Sequence, residues 1–238
     1  MTERGRGAIE RSAGAYRIGR SGLAWDGEAL TVDIHEITAP IPQRVRGRVV
    51  LRPGAVCNFI TPLDAAARHH WGPIAPCARI EVDLQHPGLR WSGQAYMDAN
   101  QGSEPIDCAF DEWDWSRSQM ADGSTTVIYD VRPAPGLGPD RVIAQRFAPD
   151  GSHVPFTAPA RQPLPRSAWR IARTMRSDAD VPPRLKQSLE DTPFYARSLL
   201  DASVQGERVT AMHETLNVPR LVSWPVQMML PWRMPRRG

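Results

Sequence analysis

The feature that most limits how this chain can fold is a set of hairpin signals spread along it. Asp-Gly pairs occur at Asp26-Gly27, Asp122-Gly123 and Asp150-Gly151, each between runs that read as strands. Both residue types tolerate the positive φ of a type I′ turn, the tight connection between adjacent antiparallel strands. After the first pair, Leu30, Val32 and Ile34 alternate with Thr31, Asp33 and His35, the period of a half-buried strand. Further strands are expected over residues 46–52, 78–84, 89–100, 125–131, 141–147 and 208–216. Helical periodicity is weak throughout. The 23 prolines punctuate connections such as 132–139 and 158–165, breaking helices and confining strands to short runs. Many short strands with regular turn signals give an all-β chain of the sandwich or barrel kind. No internal repeat is visible, and a boundary is expected near residues 116–123, where a Trp-rich segment gives way to a new hairpin.

A chain of 238 residues suffices for one large β domain or two small ones. No apolar run reaches the roughly 18 residues of a membrane-spanning helix. The opening residues Met1-Thr2-Glu3-Arg4-Gly5-Arg6 have no apolar stretch after their charges, so no signal peptide is read there and a cytoplasmic location is expected. Cys57, Cys77 and Cys108 are odd in number and widely spaced, which argues for reduced structural thiols rather than a disulfide framework or a zinc site. The net charge is +3, and Lys186 is the lone lysine among 29 basic residues. The arginines are scattered rather than striped, so nucleic acid is not an expected partner.

One stretch differs from the rest. It holds His69, His70 and Trp71, then residues 90–102 with Trp91, Tyr96, Asp98 and Asn100, then Asp111, Glu112, Trp113, Asp114 and Trp115. Side chains at i and i+2 of a strand share a face. A strand over 90–100 therefore puts Tyr96, Asp98 and Asn100 on one face with Ser92 and Gln94, and Trp91, Gly93, Ala95 and Met97 on the other. His69 and Trp71 have the same spacing and can point into one space. A carboxyl among aromatic rings has its charged form desolvated and can hold a proton near neutral pH. Aromatic faces can in turn stabilise a developing cation. A proton donor beside such a wall suits protonation of an alkene, although spacing alone does not select that chemistry.

Plainer readings stand beside this one. Asp98 with Asn100, Gln101 and Gly102 has the composition of a turn. Tyr96 and Trp71 also read as core aromatics with satisfied polar ends, and His69 and His70 as surface residues. Trp113 and Trp115 share a face and read as core. Glu104, Asp107, Asp111, Glu112 and Asp114 read as a solvated edge.

Taken in order, short strings along the whole chain resemble the carotenoid 1,2-hydratase family. They are His69-x-Trp71-x-Pro73, Ala75-Pro76, residues 78–82, Trp91-Ser92-Gly93, Tyr96-x-Asp98-x-Asn100, Phe110-Asp111-x-Trp113-Asp114-Trp115, residues 212–216 and the tail 229–237. The resemblance implies two lipocalin-like (calycin-type) antiparallel β-barrel domains, expected here as residues 1–118 and 119–238. It also implies hydration of acyclic carotenoids such as lycopene and neurosporene without metal or cofactor. Asp98 would be the proton donor, with His69, Trp71 and Tyr96 completing the site; water would add to a tertiary cation shielded by Trp71 and Tyr96 and give up its proton to the Asp98 carboxylate or through His69. In that family the string resembling residues 1–5 lies inside the chain. Two alternatives follow: a chain that starts late, with a first barrel short of its opening strands, or a naturally short form.

The tail from Leu221 to Trp232 is apolar and is followed by Arg233, Arg236 and Arg237. It reads as a peripheral membrane contact for a lipid-dwelling substrate, or as a segment packed over a barrel end. Two other functions stay open. One is a non-catalytic carrier of carotenoid or another lipid, for which a carboxyl inside an apolar cavity is a cost. The other is a glycoside hydrolase with paired carboxylates, for which the sequence supplies candidates such as Asp98 and Glu104 but singles out no pair.

Overall fold

The computed structural model describes residues 3–38, 41–233 and 236–237, so Met1, Thr2, Met234 and Pro235 of the terminal strings lie outside it. The architecture is all-β with antiparallel sheets. The chain opens with β1 (Glu3–Arg4), β2 (Ile9–Arg11), β3 (Ala15–Ile18), β4 (Ser21–Trp25), β5 (Leu30–Ile37) and β6 (Arg44–Pro53). It continues through β7 (Thr61–Pro62), β8 (His69–His86) and β9 (Leu89–Gly102). Strands β2 to β9 form one sheet in the order β2-β3-β4-β5-β6-β8-β7, with β9 paired to β8.

The remaining strands are β10 (Phe110–Gln119), β11 (Thr125–Pro133), β12 (Arg141–Phe147), β13 (His153–Pro155), β14 (Arg161–Leu164), β15 (Arg173–Arg176), β16 (Arg184–Asp191), β17 (Tyr195–Val204), β18 (Glu207–Asn217) and β19 (Arg236–Arg237). The second sheet has the order β13-β12-β11-β10-β18-β17-β16, while β14 and β15 pair as a separate hairpin and β1 pairs parallel with β19. The expected division at 118/119 falls within β10, a central strand of this second sheet. Two helices, α1 (Val218–Leu221) and α2 (Trp224–Arg233), follow β18. Neither was expected from periodicity. Asn217 caps α1 by accepting the Arg220 N–H, and Pro225 falls in the first turn of α2, where a missing N–H costs nothing.

All three Asp-Gly pairs lie in hairpin connections, but they are not type I′ turns. At Gly123 and Gly151 the glycine N–H closes a turn onto the carbonyl three residues back. Among the described residues positive φ falls on Gly27, Gly123 and Gly151 and not on the aspartates before them. Each aspartate instead caps its turn through its carboxylate: Asp122 and Asp150 accept the N–H of Ser124 and Ser152, and Asp26 accepts those of Glu28 and Ala29. The side chain's hydrogen bonding, rather than its tolerance of positive φ, is the reason aspartate stands there.

The expectation of short strands fails at β8, which runs for 18 residues through Pro73 and Pro76. Its pairing with β9 shifts register between Pro73 and Ala75 and again between Ala75 and Ala78. Bulges of this kind accommodate a residue that cannot donate to the ladder. They also divide β8 in two. Residues 78–86 pair with β6 inside the first sheet, whereas His70 and Trp71 pair with β7. That second portion carries Trp71, fully buried, into a core shared with Phe110, Trp115, Val127, Tyr129, Phe147 and Leu216 of the second sheet. Its indole makes edge-to-face contacts with Tyr129 and Phe147 at 5.7 and 6.4 Å, a favoured geometry for aromatic pairs. The opposite face of the second sheet holds another core, including Ile128, Met175, Leu200 and Val204. Cys57, Cys77 and Cys108 are all free thiols.

Candidate functional site

The β8–β9 ladder sets the site. Pro73 pairs with Asp98, Trp71 with Asn100 and His69 with Gly102. Paired residues of antiparallel strands project to the same face, so Asp98 and Trp71 rise side by side. The alternation expected along β9 holds. Ala95 and Met97 pack against Leu51, Ala75 and Ala78, while Tyr96 packs against the core containing Trp71 and Trp115. The turn reading of Asp98 does not hold, because Asp98 is well inside β9.

Two donors converge on one carboxyl oxygen. The Trp71 indole N–H donates to Asp98 Oδ2 at 2.8 Å, and the Tyr96 hydroxyl donates to the same oxygen at 3.0 Å. With Oδ2 occupied as an acceptor, a proton on this carboxyl belongs on Oδ1. Burial, together with the Asp98 charge, pushes the Tyr96 phenol well above its usual range. It therefore stays protonated and serves as a donor at physiological pH. The Trp71 indole has no other protonation state to offer.

These groups open on a cleft of about 290 Å³ lined by Tyr96, Asp98, Trp113, Trp115, Tyr129 and Glu214, with Asn100, Arg117, Arg197 and Met212 completing its wall. One face of the second sheet supplies most of it: Trp115 pairs with Tyr129 on one side and Glu214 on the other, and Glu214 pairs with Arg197. The cleft thus lies between β9 of the first sheet and this aromatic face of the second. Its size is at the lower end for a ligand pocket and suits the end of a long molecule rather than the whole. Burial raises the Tyr129 hydroxyl too, with Asp98 and Glu214 adding to the shift. Arg117 places its guanidinium 5.4 Å from the Tyr96 ring centroid. Burial lowers its pKa, against the opposing pull of Tyr96, Glu214 and Asp98.

His69 is placed differently from the other three expected site residues. It is 4 % exposed, so it is not a surface residue, and its ring packs edge-on against Phe110 at 4.8 Å. Its Nε2 lies 3.7 Å from Glu104 Oε1, too far for a hydrogen bond, and both atoms are buried without a partner. Glu104 is tied to Arg68 at 2.7 Å. The structure therefore brings Asp98, Trp71 and Tyr96 together and sets His69 two register positions further along the ladder, beside Glu104.

The solvated-edge reading fails for Asp114. Trp113 and Trp115 face the cleft, so Asp114 between them faces the other way, into the protein. Asp114 Oδ2 accepts from Thr174 at 2.6 Å and from Arg132 at 2.7 Å, while Oδ1 accepts from Thr215. Glu112 shares Arg132 with it at 2.8 Å. Arg117, Tyr129, Arg197 and Glu214 were not read as site residues. Only the packing of the two sheets brings Glu214 and Arg197 to Asp98, and packing between such distant segments leaves no local mark.

The profile of the family described as Carotenoid hydratase CrtC matches residues 1–238. The acyclic carotenoid 1,2-hydratase of Rubrivivax gelatinosus is 58% identical over 238 residues, and that of Thiocapsa roseopersicina is 50% identical over 239. The chain spans 58% of the length of each of these two relatives. The acyclic carotenoid 1,2-hydratase of Rhodobacter capsulatus is 38% identical over 241 residues, with 84% of its length covered.

Proposed function

The chain belongs to the carotenoid hydratase family, and from that premise we propose that it hydrates the terminal C1–C2 double bond of acyclic carotenoids such as lycopene and neurosporene. The observation that carries this reading is the convergence of the Trp71 and Tyr96 donors on Asp98 Oδ2 in an aromatic cleft. Asp98 delivers its Oδ1 proton to C2, and the C1–C2 π electrons form the new C2–H bond. A tertiary cation remains at C1. The carboxylate left behind keeps the two hydrogen bonds on Oδ2. The faces of Trp113, Trp115 and Tyr129 line the space in which the cation forms, where aromatic quadrupoles attract positive charge. Water then adds to C1 and loses a proton, giving the 1-hydroxy product. Every step uses protons and water alone.

In this reading the two sheets are the two lipocalin-like halves, nominally residues 1–118 and 119–238, with β10 lent by the first to the second. His69 acts at a distance, through the β8–β9 ladder that seats Trp71, rather than on the reacting atoms. The protein works in the cytoplasm and meets its lipid-dwelling substrate by peripheral contact of the C-terminal region. Trp224 and Met228 on α2 are 75 % and 56 % exposed, as interfacial insertion requires. No helix among the described residues is long and apolar enough to cross a membrane.

The test is conversion of lycopene or neurosporene by this chain beside an Asp98→Asn variant, with product identified by mass. Alcohol from the wild type and none from the variant, with carotenoid binding retained in both, is the expected result. Binding without alcohol from either protein would favour a carrier of the same ligand.

A further inference from the structure

The hydration chemistry needs two proton-handling events, and the cleft presents two carboxyls, Asp98 from β9 and Glu214 from β18. Once Asp98 has protonated the alkene, its carboxylate is stabilised by the Trp71 N–H and the Tyr96 O–H on Oδ2. The water that attacks C1 must still give up a proton. We infer that Glu214 is the base that holds and deprotonates this water, an inference that rests on the hydratase reading above.

Glu214 is the other carboxylate lining the cleft. It stands on β18 directly opposite Trp115, so it approaches the cleft from the second sheet while Asp98 approaches from the first. Arg197 fixes it: a single N–H, from Nε, lies 2.9 Å from both Glu214 Oε1 and the Tyr195 hydroxyl. This contact holds Oε1. A plain surface ion pair has no need of a cleft, yet here the glutamate side chain is 25% exposed against 41% for the arginine. Its charge also has a local task. Arg117 lies in the same wall with no hydrogen bond or ion pair among the described residues, and a lone guanidinium would oppose a cation forming nearby. The Glu214 carboxylate, paired with Arg197, also acts on Arg117 through space, so the two cations of this wall face a fixed negative charge before any proton has moved.

The cycle closes without a further reagent. The Asp98 proton goes to C2, and the water oxygen forms the C1–O bond. The water proton passes to Glu214, and from there back to Asp98 through solvent in the cleft. One water is consumed for each double bond, and nothing is oxidised or reduced.

The two roles separate in heavy water. A cation that forms but is not captured by water collapses back to alkene and carries solvent deuterium into the terminal unit of the recovered carotenoid. With this chain, wild type is expected to make alcohol. Glu214→Gln is expected to lose about 100-fold or more in hydration, the size of a general-base contribution, while deuterium uptake into recovered substrate persists. Asp98→Asn is expected to lose both signals. Glu214→Asp keeps the charge and shortens the reach, so it covers the case in which the amide disturbs Arg197. Reduced hydration with exchange retained is again expected. Hydration at the wild-type rate in Glu214→Gln, or hydration and exchange falling together in both Glu214 variants, overturns the assignment. No alcohol and no exchange from wild type overturns the hydratase reading itself, and this inference with it.

Discussion

Trp71 and Asp98 are 27 positions apart in sequence, yet the indole N–H lies 2.8 Å from the carboxyl oxygen. The proximity follows from the ladder, since Trp71 pairs with Asn100 and Asp98 with Pro73 on adjacent antiparallel strands. Tyr96 reaches the same oxygen at 3.0 Å from its own strand, two residues before Asp98. A shared acceptor has an energetic signature. Hydrogen bonds to a charged group contribute about 1.5–3 kcal/mol each. Trp71→Phe and Tyr96→Phe are therefore each expected to lower hydration by roughly 10- to 100-fold, at about 1.4 kcal/mol per decade. The double variant is expected to lose less than the product of the two, because each remaining donor strengthens when it alone serves Oδ2. Rates of the four proteins in one cycle check this, and strict multiplicativity would show that the two donors act independently.

Gly102 tests the place of His69. The two are paired across the ladder, and a methyl group on Gly102 would sit 2.5 Å from His69 Nδ1 and 2.8 Å from Cε1. The ring is buried against Phe110, so it has little room to retreat. Gly102→Ala is expected to destabilise the protein by about 1–3 kcal/mol, the usual cost of overpacking. On the reading that His69 acts only through the ladder, carotenoid binding survives this change and turnover falls modestly. Denaturant melts and rates measured side by side decide it. Unchanged stability would mean that the ring moves freely, and a loss of turnover as large as that of Asp98→Asn would place His69 on the reacting atoms.

Local alternation carried much of this fold on its face. The split between Ala95 and Met97 on one side and Tyr96 and Asp98 on the other was readable because a strand has period two and β9 has no bulge. The Asp-Gly pairs marked three hairpins, although their turn chemistry came from the carboxylates rather than from two positive φ angles. What alternation could not supply is which strand lies beside which. Glu214 joins Asp98 only because β18 pairs with β10 and the two sheets face each other. Asp114 misled for a related reason. In an acidic string it reads as solvated, but it alternates with two cleft-facing tryptophans, and its partners Thr174 and Thr215 lie 60 and 101 positions away.

That buried arrangement carries its own consequence. Asp114 satisfies Thr174, Thr215 and Arg132 together, on the face of β10 opposite the aromatic cleft. Removing one member of such a network strands the others out of water. Asp114→Ala is expected to cost about 3–5 kcal/mol, the range for breaking a buried charge pair. Glu112 still meets Arg132 at 2.8 Å, so the arginine is not wholly abandoned and the lower end is favoured. Chemical denaturation with the wild type as reference measures it. A loss under 1 kcal/mol, the scale of an exposed ion pair, would show that the network adds little.

His213 gives the fold an acid-sensitive point on the same buried face. Burial lowers its pKa, against the opposing charge of Asp114 and the hydrogen bond to the Thr174 carbonyl. Its Nε2 lies 2.8 Å from that carbonyl oxygen and 3.6 Å from Asp114 Oδ1. The folded protein therefore keeps the ring neutral at a pH where the unfolded chain, with an ordinary histidine pKa of about 6.5, begins to take up a proton. The sign follows: the contribution to stability is complete above about pH 6.5 and declines as pH falls through the depressed folded value. Asp130, held below the usual carboxylate range by Arg161 and Arg176 against the cost of burial, stays ionised in both states across this interval and adds no slope until about pH 4. Glu112, raised by burial, works in the opposite direction. The wild type is expected to melt at a lower temperature at about pH 5.5 than at about pH 7.5, an interval that straddles the unfolded histidine value. His213→Asn, less stable at both, is expected to lose most of that difference. A His213→Asn protein with the same pH-dependent drop as the wild type would place the acid sensitivity elsewhere.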